Sequence, residues 1–116
     1  MNRKPADTPV PPYYAVIFTS VRTAVDDGYA DAAKEVLDLA TQQPGFLGFE
    51  SARQEIGVSV SYWAALESIR AWKQNARHRQ AQGRAREWYK AFRVRVCRVE
   101  REYALGKAFA AFLRKR

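Results

Sequence analysis

The chain has 116 residues, of which 47% are hydrophobic and 28% charged, and it carries a formal net charge of +8. That length suits one domain with a real core and excludes two. A lone cysteine, Cys97, excludes an internal disulfide and a cysteine-built metal site, and it suggests a reducing compartment, hence a cytoplasmic location. No apolar run approaches the ~20 residues of a membrane helix. The opening MNRKPADTPVPP lacks the apolar segment of a secretory signal. The basic excess could meet an anionic partner such as nucleic acid or a membrane surface. The arginines are spread over helix and strand rather than packed into one run, so a solvated surface is the simpler expectation, without a nucleic-acid or membrane partner.

Residues 1–12 hold four prolines and no periodicity, which predicts a flexible arm. Tyr13 to Arg22, YYAVIFTSVR, is dense in β-branched and aromatic residues and predicts a buried strand. Asp26-Asp27-Gly28 opens a helix, with an aspartate as the expected cap and acidic charge at the positive end of the helix dipole. Tyr29, Ala33, Val36, Leu37 and Ala40 form its apolar stripe, and Pro44-Gly45 ends it.

Phe46 to Gln54 and Val58 to Trp63 read as a hairpin pair of strands around Gly57. Helical spacing follows over about 66–75 and 78–88, with a break near Asn75. In the second run His78, Ala81, Ala85, Trp88 and Tyr89 share a face. The last strand is expected from Lys90 to Tyr103. Its alternation of Phe92, Val94 and Val96 is one step out of phase with Cys97 and Val99. Either a bulge or a strand buried on opposite faces at its two ends accounts for that shift. A short amphipathic helix with a basic end is expected over 104–116; packing against its own dimer suits its length better than a membrane anchor.

The order β-α-β-β-α-β is that of a ferredoxin-like α+β fold. Helices on one face would leave the other sheet face bare and apolar, and a face-to-face homodimer is the simplest cover for it.

All three tryptophans and the only histidine lie between Trp63 and Trp88. His78 is the one histidine that could move a proton near neutral pH; a helix-start histidine bonded to the backbone is the alternative. Trp63, Trp72 and Trp88 could wall a flat apolar cavity, with Tyr62 and Tyr89 as polar handles, or they could simply pack the core. The chain has no phosphate loop, no metal-ligand spacing and no nucleophile elbow, so no metal or cofactor is expected. Cys97 reads as a buried, inert thiol.

QPGFLGFESAR at 42–53, SYW at 61–63, IRAWKQNARHRQAQ at 69–82 and REWYKAFRVRVCRVEREY at 86–103, in that order, resemble the antibiotic biosynthesis monooxygenase superfamily. The resemblance covers about residues 13–103 and implies a dimeric α+β barrel. It also implies cofactor-independent oxygenation of a small aromatic or quinone-like compound, with His78 and Trp63 as candidate catalytic residues and Trp72, Tyr62, Trp88 and Tyr89 as candidate substrate-binding residues. A binding protein of the same fold without catalysis, or a basic nucleic-acid or membrane-surface module, are the alternatives. Two departures bear on chemistry. Four residues before Trp63 stands Ser59, where aromatic-polyketide monooxygenases of this family carry an asparagine. Ten residues after Trp72 stands Gln82, where haem degraders of this fold carry an axial histidine, and Phe18-Thr19-Ser20 lacks the asparagine of their first strand.

Overall fold

β1 (Tyr13–Arg22) lies inside the sheet because both of its edges are paired, with β3 (Gly57–Trp63) on one side and β4 (Tyr89–Val99) on the other. With β2 (Phe46–Arg53), the computed structural model has one antiparallel sheet in the order β2-β3-β1-β4, and it describes residues 4–105. The helices are α1 (Tyr29–Thr41), α2 (Leu66–Gln74), α3 (Ala76–Gly83) and α4 (Ala85–Trp88). This is the expected ferredoxin-like α+β arrangement, with its second helical region in three pieces. The helix expected over 104–116 lies, apart from its first two residues, outside the described residues.

Directly paired residues of antiparallel strands share a face, so the register sorts the sheet into two surfaces. One surface carries Phe46, Trp63, Tyr14, Val16, Phe18, Phe92, Val94 and Val96. Here Val16 and Trp63 pack with Leu39 and Ala40 of α1 and Ile69 and Trp72 of α2. Ile69 and Trp72 are one turn apart, so α2 presents both to the sheet. The other surface carries Ala15, Ile17, Val58, Val60, Tyr62, Cys97 and Val99. The arm reaches one end of it. The Ala6 N–H donates to Glu50 Oε2 at 2.9 Å, and the Thr8 hydroxyl lies 2.9 Å from the Tyr13 hydroxyl and 3.2 Å from Glu102 Oε1.

Four local expectations are corrected. No aspartate caps α1. Gly28 takes that position with φ 74°, in the left-handed region, and no side chain caps the helix. Asp26 instead pairs with Arg22 at 3.0 Å, and the Asp27 carbonyl accepts from the Trp88 indole at 2.8 Å. A Cβ on Gly28 would come within 2.7 Å of the Arg84 guanidinium and displace it, and the left-handed backbone is what requires glycine there. The apolar stripe of α1 is also shifted: Leu39 and Ala40 are buried while Ala33 is exposed, because only the C-terminal half of the helix crosses the core.

The run expected over 78–88 is two helices, α3 and α4, parted at Arg84. Gly83 lowers helix propensity there, and the Arg84 side chain turns away to Glu87 and Asp27. The last strand ends at Val99 rather than Tyr103 because Val99 pairs with Tyr13, the first residue of β1; beyond it no strand remains to pair with. The pairing is unbroken from Ala91 to Val99, and the only irregularity faces Val21 and Arg22 at the start of β4. The phase shift at Cys97 is therefore not a bulge: the apolar residues change face, with Phe92, Val94 and Val96 exposed on one side and Cys97 and Val99 half-buried on the other.

Trp63 is 0% exposed, with its ring 5.1 Å from Trp72 and 5.4 Å from Phe46. Trp63→Ala should cost about 3 to 5 kcal/mol of unfolding free energy, from lost burial plus the cavity left behind. Urea titration should show it as a lowered midpoint, whereas Leu66→Ala, at a residue 43% exposed, should cost far less.

Candidate functional site

The six candidate residues occupy three places. The first is the core junction of Trp63, Trp72 and His78. The Trp63 indole N–H donates to Ser61 Oγ at 2.8 Å, and that of Trp72 to the Val36 carbonyl at 3.0 Å. His78, on the first turn of α3, meets Trp72 edge-on with ring centroids 4.5 Å apart. Its Nδ1 is buried and has no partner among the described residues. Burial, and next the positive charge of Lys73, hold this imidazole below its ordinary pKa; the Trp72 carbonyl acts the other way. The ring is therefore neutral near physiological pH, with a lone pair free to accept a proton or hydrogen bond.

The second place lies on the opposite face of the sheet. Tyr62 stands 5.9 Å from the Tyr13 ring, and its hydroxyl donates to Glu50 Oε1. Burial first, then that bond and the Glu50 charge, raise the Tyr62 phenol above its ordinary value. Tyr62 is thus separated by the sheet from the tryptophans it was grouped with.

The third place is an aromatic cluster where α4 runs into β4. Tyr29 contacts Trp88 at 5.9 Å and Tyr89 at 5.8 Å, edge to face. Phe18 contacts Tyr89 at 5.3 Å and lies nearly parallel to Phe92 at 5.5 Å. The Tyr89 hydroxyl donates to the Tyr29 hydroxyl at 3.3 Å. Burial, then this bond, raises the Tyr89 phenol, while Arg53 and Arg22 oppose the rise. The Arg22 guanidinium sits 3.3 Å over the Tyr29 ring, and Arg84 lies 4.6 Å over Trp88.

Trp63, Trp72 and His78 are thus brought together, Trp88 and Tyr89 form part of a separate cluster, and Tyr62 stands alone on the far face. Three further residues were missed: Tyr29, Phe18 and Arg53. Tyr29 was visible as the first residue of the α1 stripe, and Phe18 as an aromatic in a strand. Arg53 left no signal, because its significance depends on which strands lie beside β2. A groove of about 390 Å³ along α1, lined by Asp31, Lys34, Glu35, Asp38, Leu39 and Gln42, includes none of the six candidates. Among the described residues no group of three His, Cys, Asp or Glu side chains is placed to hold a metal ion.

This architecture matches a known family. The family model described as antibiotic biosynthesis monooxygenase matches residues 12–84, more than half of the chain. The uncharacterized protein YqjZ of Bacillus subtilis is 45% identical over 98 residues, covering 82% of this chain and 86% of that protein. Among solved structures, a mutant of SnoaB from Streptomyces nogalater, described as a cofactor-independent oxygenase, superposes with a TM-score of 0.69 at 10% identity, covering 81% of this chain and 98% of that one. A protein of unknown function from Nitrosomonas europaea superposes at 0.62 with 11% identity, covering 82% and 97%. At those identities the structural likeness speaks for the fold. The chain belongs to the antibiotic biosynthesis monooxygenase family.

The depressed pKa of His78 has a consequence for stability. An unfolded histidine takes up a proton near its ordinary pKa of ~6.5, while the folded state resists until lower pH. In that window the unfolded state holds more protons. The stabilisation from neutral His78 is therefore full above about pH 6.5 and declines as the pH falls toward its folded pKa. Unfolding free energies measured between about pH 7 and 5 should decline in the native protein and decline less in His78→Gln.

Proposed function

We propose that this protein is a monooxygenase that oxidises a small aromatic or quinone-like compound without a bound cofactor. The observation that carries the reading is the unpartnered Nδ1 of a neutral His78 beside Trp72, in a chain of the monooxygenase family. In such a reaction the substrate supplies the electrons. A ring CH₂ loses a proton to a base, and the resulting anion is oxidised by dioxygen. One oxygen atom enters as the carbonyl, and the other leaves as water with the two hydrogens. His78 Nδ1 is the proton acceptor, and Trp72 excludes water beside it. Trp63, sealed in the core, holds Trp72 in place. Ser59, at the position where the family's polyketide monooxygenases carry an asparagine, offers a hydroxyl in place of an amide.

A ligand-binding protein of the same fold without turnover is the second reading. Its support is the departure from the family's catalytic residues, with Ser59 in place of an asparagine and Gln82 in place of an axial histidine. With ring centroids 5.1 Å apart, Trp63 and Trp72 leave no room for a flat ring between them, so a ligand would lie beside this pair rather than within it.

The same proposal includes a homodimer formed through the open sheet face, a cytoplasmic location, a family domain over 13–103 and a basic amphipathic extension over 104–116. No described helix is long and apolar enough to cross a membrane. Ile17, Val58, Val60, Cys97 and Val99 stand on a surface that none of the described helices covers, and Val58 is 38% exposed. A bare apolar sheet face of this kind calls for a cover.

Two experiments test this function. An anthrone and a naphthalene diol, incubated with the protein under air, should show oxygen uptake and quinone absorbance above the buffer rate. His78→Gln should lower that rate by roughly 10² to 10⁴ if His78 is the base. Rates equal to buffer for both compounds would leave the binding-protein reading. Light scattering at micromolar concentration should give about twice the 13.3 kDa chain mass, and a clean monomer would remove the dimer.

A further inference from the structure

The last cross-strand row on the helix-facing side of the sheet is Arg53, Gly57, Ser20 and Phe92, one residue from each strand. Arg53 is exposed, but its side chain folds back over the sheet. Its guanidinium lies across Gly57, where a Cβ would stand 2.1 Å from Cζ, and it reaches β1. There it donates through NH2 to the Ser20 hydroxyl and through NH1 to the Ser20 carbonyl at 3.4 Å. Ser20 is only 3% exposed. The glycine is what permits this path: any side chain at 57 would occupy the space of the guanidinium. The cation is thereby brought to the strand next to Phe92, about one strand spacing (~4.8 Å) away.

Arg22, Arg84 and Arg53, three of the cations near this end of the sheet, differ in one respect. Arg22 is paired with Asp26, and Arg84 with Asp27 and Glu87. Arg53 bonds only to neutral oxygens of Ser20 and has no carboxylate partner among the described residues. Beside it lies an apolar strip on the same face of β4: Phe92 is 52% exposed, Val94 37% and Val96 47%. Phe92 stacks on Phe18 with 26° between the planes, and at 52% exposure it keeps part of its ring open near the cation. The Tyr29 hydroxyl, reached through Tyr89, accepts a bond from Tyr89, and its own proton has no acceptor among the described residues.

We infer that this end of the helix-facing sheet surface binds a planar aromatic anion, with its ring on Phe92 and Phe18 and its anionic oxygens at Arg53. The inference rests on the proposed reading that the protein takes a small aromatic compound, and it names the charge of that compound and the residues that select it. An unpaired guanidinium gives a carboxylate or phenolate oxygen a charge-assisted hydrogen bond that a neutral isostere lacks. A ring-borne carboxylate places its charge within one strand spacing of its aromatic face, which matches the spacing of Arg53 and Phe92. A second protein copy or a peptide would use the same strip without needing the cation, and the test separates these cases.

The experiment compares 1-hydroxy-2-naphthoate with its neutral counterpart 1-hydroxy-2-naphthamide, by calorimetric titration of the full-length protein. The naphthoate should bind roughly tenfold or more tightly than the amide. Arg53→Gln should erase that preference while leaving amide binding and the circular dichroism spectrum unchanged. Phe92→Ser should weaken both ligands alike. Gly57→Ala, which displaces the guanidinium, should act as Arg53→Gln does, and it guards against an effect confined to one variant. Equal binding of the two ligands, a preference that survives Arg53→Gln, or no binding of either would overturn the inference. Binding with the stated preference but without turnover of any aromatic substrate would sink only the oxygenase reading. Turnover of neutral compounds alone would sink only the anion site.

Discussion

The contact between Trp63 and Trp72 is the constraint on which the rest depends. Trp63 ends β3, and Trp72 stands on the second turn of α2, so their packing fixes how α2, the helix that follows β3, returns over the sheet. The Trp72 indole then bonds to the Val36 carbonyl and ties α1 into the same junction. Burial of two indoles removes a large apolar area from water, of the order expected to dominate the stability of a small core. Because both N–H groups are satisfied internally, neither indole carries an unpaired polar atom into that core. His78 inherits its environment from this packing: it is placed against Trp72, desolvated and neutral.

The third tryptophan repeats the device at the other end of the helical layer. Trp88 donates to the Asp27 carbonyl just before α1, and Arg84 lies over its ring while reaching Asp27 and Glu87. These ion pairs are substantially exposed and individually weak. Their effect is positional. They hold α4 against the start of α1, and so bring Tyr29 to Tyr89. Glycine at 28 suits that approach, since its left-handed backbone disfavours a side chain and a Cβ would push Arg84 aside.

The sheet divides the remaining chemistry. The helix-facing side holds the neutral imidazole, the aromatic cluster and Arg53. The open side holds Tyr62, Glu50 and Tyr13 under the arm, beside an apolar field. A phenol bonded to a carboxylate, with its pKa raised, is a poor proton donor and a good structural tie, and Tyr62 fits that description. Two candidates adjacent on the chain, Tyr62 and Trp63, belong to different surfaces because successive residues of a strand face opposite sides of the sheet.

The amino-acid sequence by itself determined the element order, the ferredoxin-like class and the family resemblance. Those follow from periodicity and from contiguous motifs, which are local properties of a chain. It also located the break at Asn75 and the aromatic density between Trp63 and Trp88. It missed the glycine cap at 28, because two aspartates in a row are a stronger local cap signal than the pull of Arg22 and Trp88 that redirects them. It extended β4 to Tyr103, because alternation continues where pairing has already ended at Tyr13. Only the tertiary structure decided which candidates meet. Whether Trp88 faces Trp72 or Tyr29, and whether Tyr62 shares a side with either, depends on helix breaks and strand register. Arg53 is the clearest case: its place beside Phe92 is a relation across four paired strands, and it exists because a glycine happens to lie between them, which spacing along one chain does not encode.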